Sequence, residues 1–315
     1  MADEIAGFPG LEAHLARHYD IPVEGGCCKL IRHGFNHTYH VAVPPDQYIF
    51  RIYLNRKYYI SSENDFRFEL EWLRFLRSEG LPVAHPIPAR DGQVLGALEM
   101  PGEEVRYCAL FSFAEGEQKE ALTDDEAREL GATIARVHAA SGRFACIHSR
   151  YHLNLEYLTE QPLQQIDQFL RERGREGVDA YLPRIAELEA PIRRLPTSPD
   201  AYGLIHGDLH LGNIQFTSAG SPTLFDFDHS GYGWRAYDLA TCVQRLSDSA
   251  SDALLRAYDT VRPLLPEERE SIPFFQQIRP IWDAGDILAM RAAWNNHADF
   301  GDKFADDLVK RLERL

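Results

Sequence analysis

Apolar and polar residues alternate along the first third of the chain, and this alternation predicts strands. Residues 30–43 read as two strands around a turn at 34–36, and another apolar run at 48–53 follows a second turn at 44–46. Because these runs are short and joined by tight turns, we expect a small antiparallel meander. A further strand is predicted over 105–113.

Helical spacing appears after this meander. Between residues 64 and 78, apolar side chains recur at i, i+4, i+7 and i+10, which predicts an amphipathic helix. A capping box at 123–126 predicts the start of another helix. Helical patterns return over 160–195 and again from residue 236 to the end.

The two kinds of pattern are segregated along the chain. Apart from a helical pattern over 1–20, strands concentrate in the first third and helices in the rest, which is typical of an α+β fold. The strand pattern breaks at 114–117. We therefore predict a small N-terminal lobe, 1–113, with an antiparallel sheet and one main helix. A larger, mostly helical C-terminal lobe is predicted over 114–315.

The composition narrows the class of protein. The 315 residues are 44% hydrophobic and 26% charged, as in ordinary soluble globular proteins. No run of about eighteen apolar residues occurs, so we expect no membrane span. The acidic N-terminus lacks the features of a secretory signal, and the five cysteines lack CxxC spacing, so we expect reduced thiols and a cytoplasmic location. The net charge of −15 disfavours nucleic acid as a partner and is compatible with a cationic one.

The pattern richest in chemistry begins at residue 206. Residues 206–213 read HGDLHLGN, so Asn213 follows Asp208 by five positions, and Asp226 comes after a short apolar run. This layout is typical of phosphoryl transfer, in which one carboxylate orients the attacking hydroxyl and accepts its proton. An amide oxygen and a second carboxylate hold Mg²⁺ on the nucleotide phosphates. We therefore predict Asp208 as the catalytic base and Asn213 and Asp226 as magnesium ligands.

Two features of this region leave alternatives open. His206, Asp208 and His210 alternate along the chain, and such a set can be the metal cluster of a hydrolase. That reading would leave the amide and the second carboxylate of the motif without a role. Asp228 fits a second metal contact or a contact to a cationic substrate, and it also fits the cap of a turn.

Residues upstream of the motif can complete a nucleotide site. Arg51 on the third predicted strand can face the α- and β-phosphates, and Glu69 on the following helix can pair with it. Read singly, each fits a solvated surface residue just as well. The turn that contains Asn36 would fold over the phosphates. The strand that contains Phe111 and Phe113 would meet the nucleotide base through its backbone.

Together these residues resemble the aminoglycoside phosphotransferase superfamily, which includes choline kinases and type II homoserine kinases. Residues 204–214 are similar to its catalytic loop and residues 224–228 to its metal strand. Residues 231–240 are similar to the segment that follows, in which Asp238 would brace the catalytic loop. Residues 48–52 resemble the strand that contacts phosphate, with arginine where many members carry lysine.

The resemblance implies a protein-kinase-like bilobal fold. The N-terminal lobe would bind MgATP, or GTP in its place, and the C-terminal lobe would carry the catalytic residues and the acceptor pocket. The implied reaction is direct in-line transfer of the γ-phosphoryl group to a small hydroxyl compound.

The leading hypothesis is a kinase for a small alcohol that bears an amine, such as an amino acid, an amino alcohol or an aminoglycoside. Its alternatives are a serine/threonine protein kinase of the bacterial stress-kinase type and a nucleotide-binding protein without transfer activity. The sequence does not specify the acceptor, the choice between ATP and GTP, or the oligomeric state. Acidic residues near the C-terminus are candidates for a cation-binding acceptor pocket: Asp283, Asp286, Asp299, Asp302, Asp306 and Asp307.

Overall fold

The computed structural model of the chain describes residues 8, 10–34, 36–55, 57–99, 105–291 and 300–315. The first third contains an antiparallel sheet. Its strands are β1 (Cys28–His33), β2 (His37–Val43), β3 (Asp46–Ile52), β4 (Pro86–Ile87), β5 (Gly96–Leu98) and β6 (Arg106–Ser112). Their order is β1-β2-β3-β6-β4, and β5 pairs with β6 as well.

Successive side chains of β3 point to opposite faces of the sheet, and each face packs against a different helix. Phe50 and Ile52 are buried in the cluster that α1 (Leu11–His18) forms with one face of the sheet. Because successive strand residues point to opposite faces, Arg51 points away from this cluster. It faces α2 (Glu63–Ser78), which packs behind the sheet.

The helix α2 is fixed at its start and along one face. It begins with a capping box between Ser62 and Asp65, which satisfies backbone N–H groups of its first turn. The apolar side chains at the predicted spacing are buried, and Glu69 is buried with them. The helix therefore carries a carboxylate to a defined place behind β3.

The remaining two thirds of the chain are mostly helical. The helices are α3 (Asp124–Ala140), α4 (Gln161–Arg171), α5 (Leu182–Arg193), α6 (Arg235–Val243), α7 (Asp248–Val261), α8 (Pro266–Met290) and α9 (Asp302–Leu312). Short strands lie between them: β7 (His152–Leu153), β8 (Tyr202–Ile205), β9 (Ile214–Phe216), β10 (Pro222–Leu224) and β11 (Gly231–Trp234). The long helix α8 packs against α4, α5 and α6.

The predicted α+β class is confirmed. Of the helix predicted over 1–20, residues 11–18 form α1, while residues 1–7 and 9 lie outside the described residues. Phe35 in the predicted turn at 34–36 also lies outside them. No helix in the part of the chain that the structure describes is both long and apolar enough to cross a membrane. The division of the lobes between 113 and 114 stays a prediction.

Candidate active site

Two cavities meet between the antiparallel sheet and the helical part of the chain. The first, which we call the sheet cavity, has a volume of about 400 Å³. The second, the α8 cavity, has a volume of about 520 Å³. Arg51 and Asp226 line both, so they mark the junction. The sheet cavity is also lined by Ile49, Glu69, Phe111, Phe113 and Asn213, and the α8 cavity by Asp208, Asp228, Arg279, Trp282, Asp283 and Asp286.

Arg51 lies between two carboxylates at this junction. Its Nη1 is 3.2 Å from Glu69 Oε1, and its Nη2 is 2.9 Å from Asp226 Oδ1. Burial disfavours the charged guanidinium, but Asp226 and Glu69 outweigh burial and raise the pKa of Arg51. The pairing expected between Arg51 and Glu69 is therefore present, and it extends to Asp226.

The loop between β8 and β9 is braced by Asp238 of α6. One oxygen of Asp238 accepts from the backbone N–H of His206 at 2.7 Å, and the other accepts from that of Gly207 at 2.9 Å. Burial lowers the pKa of His138, so its neutral ring donates from Nε2 to Asp238 at 3.1 Å and accepts at Nδ1 from the Tyr258 hydroxyl. The loop that carries Asp208 is thereby fixed to the helical core.

Asp238→Ala is expected to lower the free energy of unfolding by about 3 kcal/mol, because two buried N–H groups and His138 lose their acceptor. Chemical denaturation of the variant measures this loss. Asp252→Ala is the matched control, since that carboxylate is exposed on α7, and its change should stay within about 0.5 kcal/mol. Equal changes in the two variants would contradict the bracing role.

Asp208 and Asn213 lie together in this loop. The Asn213 amide nitrogen donates to the main-chain oxygen of Asp208 at 2.9 Å and to its Oδ2 at 3.3 Å. Asp208 Oδ1 accepts from Arg279 of α8. Burial disfavours the ionised carboxyl of Asp208, but Arg279, His210 and His229 together outweigh burial and hold the pKa of Asp208 well below its usual range. Asp208 is therefore an ionised acceptor at the α8 cavity.

Asp226 has an unusual backbone for a residue with a side chain. Its φ is +63°, in the left-handed region that residues other than glycine rarely occupy. Strain of this kind is found at functional sites, where the surrounding structure holds it. Here the backbone N–H of Phe225, the residue before Asp226, donates to the main-chain oxygen of Asn213 at 3.0 Å, so the segments that carry the two predicted magnesium ligands are hydrogen-bonded to each other.

Asp228 is buried among donors from the N-terminal part of the chain. Its Oδ2 accepts from Asn36 Nδ2 at 3.1 Å, from the Tyr59 hydroxyl at 3.2 Å and from Lys57. Burial opposes its ionisation, but Lys57, Arg51 and His229 together outweigh burial and hold the pKa of Asp228 below its usual range. Among the described residues, Asp228 Oδ1 has no hydrogen-bond partner. The amide of Asn36 thus contacts this carboxylate, on the side of the α8 cavity.

Phe111 and Phe113 both line the sheet cavity, and both lie in the segment that was predicted to meet the nucleotide base. Phe111 is paired with Ile49 on one side and with Pro86 on the other, so its backbone lies inside the sheet and is not positioned for the backbone contact with the base that the sequence predicted. Phe113 follows the end of β6. The ring of Phe111 also lies 5.1 Å from the guanidinium carbon of Arg51. An aromatic ring and a buried guanidinium are therefore adjacent in the wall of the sheet cavity.

The histidines of the motif do not converge on one ion. His206 Nε2 is bonded to the main-chain oxygen of Phe225 at 2.9 Å, and His210 Nδ1 accepts from the backbone of Gly212 at 2.9 Å. Within the described ranges, one group of three metal-ligating side chains is close enough to hold an ion, and it is Glu12 with two neighbouring cysteines, away from this loop. The geometry does not support the hydrolase cluster.

Sequence reasoning named Arg51, which contacts Asp226, but missed other basic residues that contact the motif. Arg279 contacts Asp208, Lys57 contacts Asp228, and Arg150 donates to the main-chain oxygen of Asp228. Arg279 carries a recognisable signal, because it shares one helix face with polar and aromatic residues at i+3, i+4 and i+7. Lys57 and Arg150 carry no such signal.

Known proteins match the chain over most of its length. Residues 28–270 match the model of the phosphotransferase enzyme family. An uncharacterised protein of Synechocystis sp. is 33% identical over 95% of this chain and 82% of its own length. A homoserine kinase of Agrobacterium fabrum is 30% identical over 68% of this chain and 66% of its own length. The structure of an amicoumacin kinase in complex with AMP-PNP, Ca²⁺ and Ami has a TM-score of 0.73 at 20% identity, over 96% of this chain and 90% of that chain, which is a likeness of fold.

Proposed function

The chain belongs to the phosphotransferase enzyme family and is a small-molecule kinase, and we propose that it transfers the γ-phosphoryl group of ATP to the hydroxyl of a small, amine-bearing metabolite or antibiotic. One observation carries this proposal. Asp208, Asn213 and Asp226 come together where the sheet cavity meets the α8 cavity. A donor in the first cavity and an acceptor in the second would meet at these residues.

The sheet cavity suits a nucleotide. Its aromatic and aliphatic walls, with Phe111 and Phe113 among them, would hold the base. The charge on Arg51 would lie against the phosphates, held in place by Glu69. Either ATP or GTP satisfies these contacts.

The residues at the junction fit a hard divalent cation. Asn213 and Asp226 offer oxygen ligands, which suit Mg²⁺ bound mainly through phosphates and water. Asp228 offers its unpartnered Oδ1, and its role as a further ligand stays a prediction. Mg²⁺ bound there would neutralise negative charge on the phosphates.

Asp208 is the residue that handles the proton. Its carboxylate would accept a hydrogen bond from the acceptor hydroxyl and orient that oxygen toward the γ-phosphorus. The new oxygen–phosphorus bond forms as the bond from that phosphorus to the β–γ bridging oxygen breaks. ADP leaves, and the hydroxyl proton passes to Asp208.

The amine preference rests on Asp286 of α8. It is 6% exposed, lines the α8 cavity, and its Oδ1 has no hydrogen-bond partner among the described residues. The ring of Trp282 lies on the same helix face as Asp286 and also lines the cavity. The ring of His229, another residue of the cavity wall, is 5.0 Å from the ring of Trp282. A buried carboxylate next to aromatic faces suits an ammonium group.

Only part of the acidic set predicted from the sequence lies in this cavity. Asp283 and Asp286 line it. Asp302 and Asp306 of α9 approach Arg175 instead, at 3.8 and 2.8 Å. Asp307 lies 3.6 Å from Lys310, and Asp299 lies outside the described residues.

The function is tested by measuring ADP or GDP formation with Mg²⁺ over a panel of acceptors. The panel holds homoserine, choline, ethanolamine, hydroxylysine, fructosamines, aminoglycosides and a generic protein substrate. We expect one amine-bearing small molecule to raise turnover well above the background. With it, Asp286→Asn should raise the acceptor KM by about tenfold or more and leave the nucleotide KM unchanged, because a buried charged hydrogen bond is lost.

The control for Asp286 is Asp306→Asn, which removes a predicted acidic residue that lies outside the cavity. Phosphate transfer to protein alone would favour the protein-kinase alternative. Nucleotide binding without transfer to any acceptor would favour the binding-protein alternative. An acceptor KM that is equal in Asp286→Asn and the wild type would contradict the assignment of the amine site.

A further inference from the structure

Arg279 of α8 is held in one orientation against the carboxylate of Asp208. Its Nη2 contacts Asp208 Oδ1, and its Nη1 is 3.0 Å from the Tyr237 hydroxyl. Its Nε donates to Asp283 Oδ1 at 2.7 Å. The guanidinium carbon lies 4.3 Å from the ring centre of Trp282. The side chain is buried, so these contacts leave it little freedom to move.

The two oxygens of Asp208 therefore have different surroundings. Arg279 takes Oδ1. Oδ2 receives a long hydrogen bond of 3.3 Å from Asn213, and His210 Nε2 lies 3.6 Å away. A carboxylate with one oxygen bound to a fixed guanidinium loses its rotation about the side-chain torsion, so the second oxygen keeps a single direction.

We infer that Arg279 is a positioning residue, which holds Asp208 Oδ1 so that Oδ2 is presented to the acceptor hydroxyl. This inference rests on the proposed role of Asp208. It adds a contribution from α8, the helix that also lines the acceptor cavity with Trp282, Asp283 and Asp286. One rigid helix face thus sets both the place of the acceptor and the direction of the base that acts on it.

The contacts explain why an arginine is needed here. The guanidinium reaches Asp208, Asp283 and Tyr237 with separate N–H groups in one plane. A lysine would keep the charge but could not serve the three acceptors in this fixed arrangement. Replacing Arg279 with lysine therefore separates the effect of its positive charge from the effect of its fixed orientation.

The experiment measures kcat and KM for Arg279→Lys and Arg279→Ala, with MgATP and the panel acceptor that gives the largest Asp208-dependent rate. If no acceptor does so, water serves as the acceptor and ATP hydrolysis is followed. We expect kcat to fall about 100-fold in Arg279→Ala, with the nucleotide KM unchanged, because the base loses its orientation. Arg279→Lys should recover only part of the loss. Added guanidinium at a low, non-denaturing concentration should raise kcat of Arg279→Ala and leave the wild type unaffected.

Arg269→Met on the same helix is the matched control, because that arginine is an exposed partner of Asp259. It should keep wild-type kcat and show no response to guanidinium. A wild-type kcat in Arg279→Ala would overturn the inference, as would full activity in Arg279→Lys or the absence of rescue by guanidinium. If Arg279→Ala does not fold, the lysine variant decides. Wild-type turnover in Asp208→Ala would instead overturn the proposed function, so the two failures are distinguishable.

Discussion

Replacing Asp208 with alanine is expected to lower kcat by about 1,000-fold, because the acceptor hydroxyl loses the group that orients it and takes its proton. Nucleotide binding should remain, since Asp208 lines the α8 cavity, whereas Arg51, Glu69, Phe111 and Phe113, which are proposed to bind the nucleotide, line the sheet cavity. Steady-state turnover and the dissociation constant of MgATP, measured on the same preparation, check both parts.

Two controls accompany this variant. Asp208→Asn keeps the shape of the side chain and removes its basicity, so it should lose nearly as much turnover as Asp208→Ala. Asp252→Ala alters an exposed carboxylate of α7 and should keep wild-type turnover. The prediction is wrong if Asp208→Asn retains most of the activity, or if Asp208→Ala loses nucleotide binding in proportion to kcat.

Asp226→Asn is expected to lower turnover at a fixed Mg²⁺ concentration by a similar factor of about 1,000, because a metal ligand contributes several kcal/mol through charge stabilisation. The variant keeps the size of the side chain, and one amide oxygen can still accept from Arg51. Titration of activity with Mg²⁺ should show that half-maximal turnover requires more metal than in the wild type. Mn²⁺ binding in the presence of ADP, followed by electron paramagnetic resonance, gives a readout that is independent of turnover.

Asp259→Asn serves as the control for this variant, since that carboxylate is partnered by Arg269 outside the two cavities. An unchanged Mg²⁺ requirement in Asp226→Asn would argue against Asp226 as a metal ligand. A loss of folding would show instead that Asp226 serves mainly to neutralise the buried Arg51. Thermal unfolding of the variant separates these two results.

The sequence determined the elements and the local order of the site, because both depend on short-range patterns. The alternation along β3 placed Arg51 on the face opposite Phe50, and the helical spacing of α2 placed Glu69 on a buried face. Asp208 and Asn213 are five positions apart in one loop, so their proximity follows from the chain itself. The resemblance to the phosphotransferase family, which the family match confirms, came from the same local motifs.

Only the tertiary structure decided which distant residues complete the site. Arg279 lies 71 positions from Asp208, and Lys57 lies 171 positions from Asp228, so no spacing along the chain marks either contact. The acidic residues near the C-terminus were equivalent in the sequence, and packing of α8 brought only Asp283 and Asp286 to the cavity among those described. Local patterns fix the conformation of a segment, whereas contacts between segments depend on how their buried faces pack.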